Sequence, residues 1–291
     1  MTTATMADTQ RRRLPKALRR FSKSFNAMLG LTLTLLLVLV ALFAPLIVQE
    51  DPYQIDFSKL SQRLEPPGET TLLGRDNFGR DLFSRIVTGT RVSLAIGSSA
   101  VLVGLLLGSV LGLLAGYFGG WLDEVIMRFT DILYAFPSIL LALALIAALG
   151  PSVVNLVLAM ALVSAPGFAR IMRSSVMQVR GTELVEAARS MGAFNLRIVF
   201  RHVLPNALGP TVVLGSLTMA TVLLTEAGLS FLGLGVQPPT PSWGGILAEG
   251  REYLRSAPFI ANFSGLAILI AVIAFNLLGD GIRDVLDPRS N

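Results

Sequence analysis

Long uncharged stretches dominate the chain. A helix needs about 20 apolar residues to cross the hydrocarbon layer, and there its backbone polar groups must be satisfied internally. Runs that qualify are 28–48, 93–117, 129–149, 151–172, 207–233 and 259–280. No stretch alternates with period two over successive segments, which argues against a β-barrel. The expectation is an all-α integral membrane protein with six transmembrane helices. Composition agrees: 53% of residues are hydrophobic and 15% charged, against about 25% charged in soluble domains. Mean hydropathy is +0.66.

Residues 1–27 are polar and basic, carrying Arg11, Arg12, Arg13, Lys16, Arg19, Arg20 and Lys23. The run behind them is too long for a leader core and reads as an uncleaved anchor. Basic flanks stay on the cytoplasmic side. Counting spans from a cytoplasmic N-terminus puts the loop 173–206 and the tail 281–291 in the cytoplasm as well. The loop's Arg173, Arg180, Arg189, Arg197 and Arg201 agree. The segment 50–92 runs against the rule: it falls outside, yet holds Lys59, Arg63, Arg75, Arg80, Arg85 and Arg91. Cysteine is absent, so disulfides and thiolate chemistry are excluded, and the single histidine, His202, builds no metal site alone.

Within 93–117, Gly104, Gly108, Gly112 and Gly116 recur every fourth residue, after Ala100. That places small residues on one helix face, where backbones approach closely in lipid. Close packing is the first reading and a substrate groove the second. Gly150-Pro151 marks a tight turn between two spans, and Pro137 should bend the third near its cytoplasmic end. Glu226 is a carboxylate inside an apolar run, a costly placement that marks either a pathway or gate residue or an interfacial, ion-paired or protonated one.

The segment 183–206 is polar between two apolar runs. Leu184, Ala187, Ala188 and Met191 fall at i, i+3, i+4 and i+7, one face of a helix. Thr182 is an N-cap type, and Gly192 suits a left-handed stop. A second helix should start at Asn195 and end before Pro205. Three readings remain: a solvated connector, a DNA-binding helix-turn-helix, or a docking element for a cytoplasmic partner. Both ends enter lipid within a few residues, which keeps the hairpin out of a major groove.

Glu186-Ala187-Ala188, Gly192 and Leu204-Pro205 resemble the EAA loop of ABC importer permeases. Residues 73–94, 116–145, 229–247 and 275–289 are similar to the C-type permeases of peptide importers, the DppC/OppC class. Nickel and glutathione importers share the pattern. The resemblance implies a type I importer permease (MetI-like) fold in a bacterial plasma membrane. It also implies a coupling role for Glu183, Glu186, Ala187, Ala188, Gly192, Arg197, Leu204 and Pro205. The implied partners are a B-type permease, two ATPase subunits carrying ATP and magnesium, and an external binding protein. No G-x-x-x-x-G-K-[ST] loop is present, so this chain should neither hold ATP by that route nor catalyse its hydrolysis. A proton-coupled secondary transporter working through Glu226 is the alternative of a different class, and no inverted repeat supports it.

Overall fold

The computed structural model describes residues 21–286. Residues 1–20 and 287–291 lie outside it, and with them most of the basic leader and half of the tail. The described chain is helical: α1 (Phe25–Ile47), α2 (Leu82–Phe118), α3 (Gly120–Tyr134), α4 (Ser138–Leu149), α5 (Val153–Arg180), α6 (Glu183–Ser190), α7 (Asn195–Phe231), α8 (Trp243–Arg251) and α9 (Pro258–Leu286). Five of these are long and apolar enough to cross a membrane, and the bent pair α3 and α4 makes a sixth if taken as one span.

α1 shows how a membrane helix can be apolar all round and still have one packing face. It buries Ala27, Gly30, Leu37 and Ala44, while Leu39, Leu42 and Leu46 face outward. Gly30 lies against the backbone of Leu277 and Leu278 in α9, and Gly281 of α9 lies against Ala27.

α2 extends well before the apolar run 93–117. Asp81 caps it by accepting from the Ser84 amide at 2.7 Å. The first turns bury Ser84, Arg85, Thr88 and Thr90, polar residues that hydropathy alone does not place in a helix of this kind. The stripe of Gly104, Gly108, Gly112 and Gly116 is buried against α5. Each meets a carbonyl on that helix, in turn those of Ala161, Ala165, Ala169 and Arg173, also spaced by four. A Cβ added at Gly104 would sit 2.9 Å from the Ala161 oxygen, and at Gly116 2.8 Å from that of Arg173. The two backbones therefore touch along about three turns, the arrangement small residues permit without hydrophobic drive.

The third expected span, 129–149, is not one helix. α3 and α4 meet at 91° across Ala135–Pro137. Pro137 lacks an amide donor and pushes Phe136 out of the helical region, so the ladder breaks there. α4 alone reaches about 18 Å, roughly half a bilayer. It packs Ala142 and Ile146 against Leu156, Ala159 and Met160 of α5. α5 itself runs past the expected limit of 172 to Arg180.

Residues 48–81 fold as a cap over the α2 start. Arg75 grips Glu50 with two nitrogens, at 2.9 and 3.0 Å, and Lys59 adds a third contact at 2.9 Å. The paired Arg75 guanidinium, more than any other group, holds the Glu50 carboxyl down at about 2. Asp76 accepts from Arg80 and Arg85, both at 2.6 Å, and Arg85 reaches Glu249 of α8 at 2.6 and 3.0 Å. Arg75, Arg80 and Arg85 are buried. The cations that strained the topology count in 50–92 are thus largely consumed by internal carboxylates.

Candidate functional site: the α6 hairpin and the α8 anchor

α5 ends at Arg180, and α6 follows after Gly181-Thr182. Thr182 occupies the cap position in extended conformation, yet its hydroxyl donates to Val179 O at 2.7 Å and caps nothing. α6 stops in a Schellman turn. The Ala193 amide bonds Ala188 O at 3.1 Å, the Gly192 amide bonds Arg189 O at 3.0 Å, and Gly192 has φ +79°. Nothing lies within 4 Å of a Cβ built on Gly192, so backbone conformation alone demands glycine there.

The expected second short helix does not exist as a separate unit. Asn195 is inside α7 rather than its cap, and its side chain instead accepts from Tyr117 Oη at 2.9 Å, tying the hairpin to the end of α2. Nor does Pro205 stop the helix. α7 passes through a π-turn at Val199–Val203 and continues to Phe231. A proline in an α-helix clashes with the carbonyl four residues back and removes a donor. The wider π-turn just before Pro205 relaxes both constraints, so the chain runs on.

The apolar face also differs from the one the spacing marks. Val185 and Ala188 are buried in a cluster with Met172, Val176, Ile198 and Val203. Leu184 and Met191 stay outside at 49% and 81% exposure, beside Phe194 at 83%, Leu196 at 71% and Phe200 at 63%. Ala187, Glu183, Glu186, Gly192, Arg197 and Pro205 are also exposed, and Leu204 is half-buried. The hairpin is anchored by one small pair of residues and presents an apolar crest edged by charge. The signal for that crest was the Met191 and Phe194 pair flanking Gly192: large apolar side chains at a turn tip have nothing of their own chain to pack on.

Glu226 lies elsewhere. Its side chain is 1% exposed, and one oxygen, Oε1, accepts from Ser230 Oγ at 2.8 Å and Ser242 Oγ at 3.0 Å. Ser242 caps α8 by accepting from the Gly245 amide at 3.1 Å. Trp243, 1% exposed, donates its indole N–H to Ile86 O at 3.2 Å. Gly235 and Gly244 both press on Ser230. Glu226 therefore holds the start of α8 onto α7. A cavity of about 160 Å³ opens beside this anchor, walled by Arg85, Gln237, Thr240 and Glu249.

The described residues form a bundle of long apolar helices with an exposed apolar hairpin at one end, which defines an integral membrane protein. The chain belongs to the family of binding-protein-dependent transport system inner membrane components, whose model matches residues 108–291, while residues 14–67 match the N-terminal transmembrane domain of oligopeptide transport permease C. It is a permease subunit of an ABC importer. It is 44% identical over 94% of its length to the dipeptide transport system permease protein DppC of Alkalihalophilus pseudofirmus, covering 89% of that protein. It is 45% identical to the di/tripeptide permease DppC of Pseudomonas aeruginosa, over 94% of this chain and 93% of that one. The glutathione transport system permease protein GsiD of Pectobacterium atrosepticum is 46% identical over 93% of this chain and 89% of its own. Its fold matches a chain of the inward-facing MetNI methionine ABC transporter, with TM-score 0.57 and 23% identity, over 71% of this chain and 97% of that chain.

Proposed function

We propose that this chain forms half of a translocation pathway for small peptides and is driven through the α6 hairpin by a separate ATPase subunit. The observation that carries the coupling role is the crest of Leu184, Met191, Phe194 and Leu196. It is exposed on a hairpin whose own anchor is complete, so its apolar surface is free for a partner. Glu183, Glu186 and Arg197 edge it with charge, and Gly192 sets the angle between α6 and α7. In this reading the ATPase binds ATP and magnesium and performs the hydrolysis, and this subunit catalyses nothing. A second, B-type permease supplies the other half of the pathway. In this reading the external binding protein meets the end formed by residues 48–81 and 232–258, both termini lie in the cytoplasm, and the complex sits in the bacterial plasma membrane.

Peptides are the substrate class because two of the similar permeases are named for dipeptides or di/tripeptides. Glutathione is the second reading, favoured by the third. Glu226 serves as the anchor of α8 in this account. That anchor keeps the start of α8 on α7 while the bundle rocks between states biased by their different contacts.

The test uses the absence of native cysteine. Ser190→Cys in the assembled complex should crosslink to a cysteine in the ATPase subunit, with a yield that changes on ATP binding. Phe194→Ala should insert normally and uncouple ATP hydrolysis from dipeptide uptake. A complex that transports at the wild-type rate with Phe194→Ala, and shows no crosslink, reduces the hairpin to a connector.

A further inference from the structure

A groove of about 370 Å³ runs between α2 and α7 at the hairpin end of the bundle. Val110, Leu114 and Phe118 form one wall, and Phe200, Leu204 and Leu208 the other. Each wall repeats every fourth residue. In an α-helix such a row turns by about 40° per step. The π-turn at Val199–Val203 takes more residues per turn, which counters that drift between Phe200 and Leu204. The surface offered is apolar throughout. The Ser109 hydroxyl is buried below it without a partner, and Tyr117 Oη and the Asn195 side chain satisfy each other at 2.9 Å. From Leu105 to Phe118 the groove is about 20 Å long, against about 15 Å for the hydrocarbon of one leaflet.

Charge collects at the mouth. The apolar run of α2 ends at 117, and the bond from Tyr117 to Asn195 sets the start of α7 level with that end. Arg197 and Arg201 therefore lie where the chain leaves the hydrocarbon. Both are exposed, about one turn apart on α7, and neither pairs with a carboxylate among the described residues. Each directly follows an apolar residue of the groove, Leu196 and Phe200. Arg75, Arg80, Arg85 and Arg173, by contrast, are all matched to carboxylates of this chain. We propose that the groove binds an anionic phospholipid from the leaflet at this end, with one acyl chain between α2 and α7 and the phosphate on Arg201 and Arg197. The walls take the acyl chain because they offer no polar group to a solute. The cations take the phosphate because a guanidinium fork matches its oxygens, and a basic site between helices at the membrane surface gathers acidic headgroups. A zwitterionic lipid brings its own cation to the same place and gains less. Slot and cations together match the two parts of such a lipid, and the bound acyl chain fills the gap between α2 and the π-turn, directly behind the α6 hairpin.

The chain lacks cysteine, so a single probe can report on the groove. The complete importer, its other subunits freed of cysteine, carries bimane on Leu114→Cys in vesicles of phosphatidylcholine. Part of that lipid is replaced by phosphatidylglycerol or phosphatidylcholine with brominated chains, which quench the probe on contact. Phosphatidylglycerol should occupy the site at least about fivefold more readily at equal mole fraction, the scale of one cation near the surface. A probe on Leu39→Cys, exposed on α1, should show no such preference. Arg201→Gln should lower the preference at position 114 about fivefold. If Arg201→Gln fails to assemble, Leu106→Phe with Val110→Phe decides: the two rings fill the slot, leave both cations, and should remove the preference. Equal quenching by the two lipids marks ordinary boundary lipid and overturns the proposal. Quenching by neither means that another subunit covers the groove, and overturns it as well. A preference that survives the filled slot belongs to the cations alone and removes the groove from the site.

Discussion

At the scale of single residues, two positions separate conformation from contact. Gly192 has free space around it and a positive φ, so Gly192→Val meets no neighbour and is opposed only by its own backbone. A left-handed residue with a side chain costs about 1–2 kcal/mol, more for a β-branched one, and asparagine is the tolerated exception. The expected order of ATP-coupled uptake is wild type, then Gly192→Asn, then Gly192→Val, measured at equal membrane abundance. If Val matches Asn, the turn does not set the hairpin. Glu226 is the opposite case, a residue held by contact. Gln retains an acceptor for both serine hydroxyls, whereas Leu leaves them buried without one. Glu226→Leu should destabilise the detergent-solubilised protein by about 1–3 kcal/mol and Glu226→Gln by clearly less. Thermal unfolding followed by tryptophan fluorescence reads the difference, because Trp243 sits next to Ser242 in the anchored turn.

At the scale of elements, helix pairing and the loop cap carry the predictions. Gly108 and Gly112 of α2 face the carbonyls of Ala165 and Ala169. Gly108→Val should push α2 from α5 and cost about 1–3 kcal/mol by overpacking, with a matching loss of thermal stability, while Gly265→Val, in open space on α9, should not. Equal effects would show that the stripe is not a packing seam. In the cap, the Glu50 carboxyl is held at about 2, below its ordinary 4.5. A depressed acid contributes stability that is complete above 4.5 and is lost as pH falls toward 2. Glu50→Gln should therefore lower the melting temperature at pH 7 and flatten its fall between pH 4.5 and 2. A variant whose acid limb follows the wild type removes the Arg75 pair from the cap's stability.

At the scale of the whole molecule, the two ends of the bundle differ in kind. One carries buried ion pairs under residues 48–81, and the other an exposed apolar hairpin. Cysteines at Glu69 and Ser190, both exposed and at opposite ends, should label oppositely with a membrane-impermeant reagent in intact cells, position 69 reacting and position 190 protected. Labelling of 190 alone would invert the orientation proposed for the complex. Ser242 is unsuitable for the purpose, being fully buried beside Glu226.

The apolar runs by themselves determined that the chain is a helical membrane protein, because lipid leaves a backbone few ways to satisfy its hydrogen bonds. The four-residue glycine spacing marked the α2 face, and Gly192 marked the turn, because each depends only on local geometry. Other features depended on partners distant in the chain. Val185 rather than Leu184 faces inward because Met172, Val176 and Ile198 happen to meet it there. Pro205 lies inside a helix, just behind a π-turn, whereas the helix breaks at Pro137, and the two prolines look alike in sequence. Arg75, Arg80 and Arg85 read in sequence as cations on the wrong side; only the folded cap shows them paired to Glu50, Asp76 and Glu249. The 91° turn between α3 and α4 likewise needed the fold, since periodicity describes a helix and does not say where a broken one points.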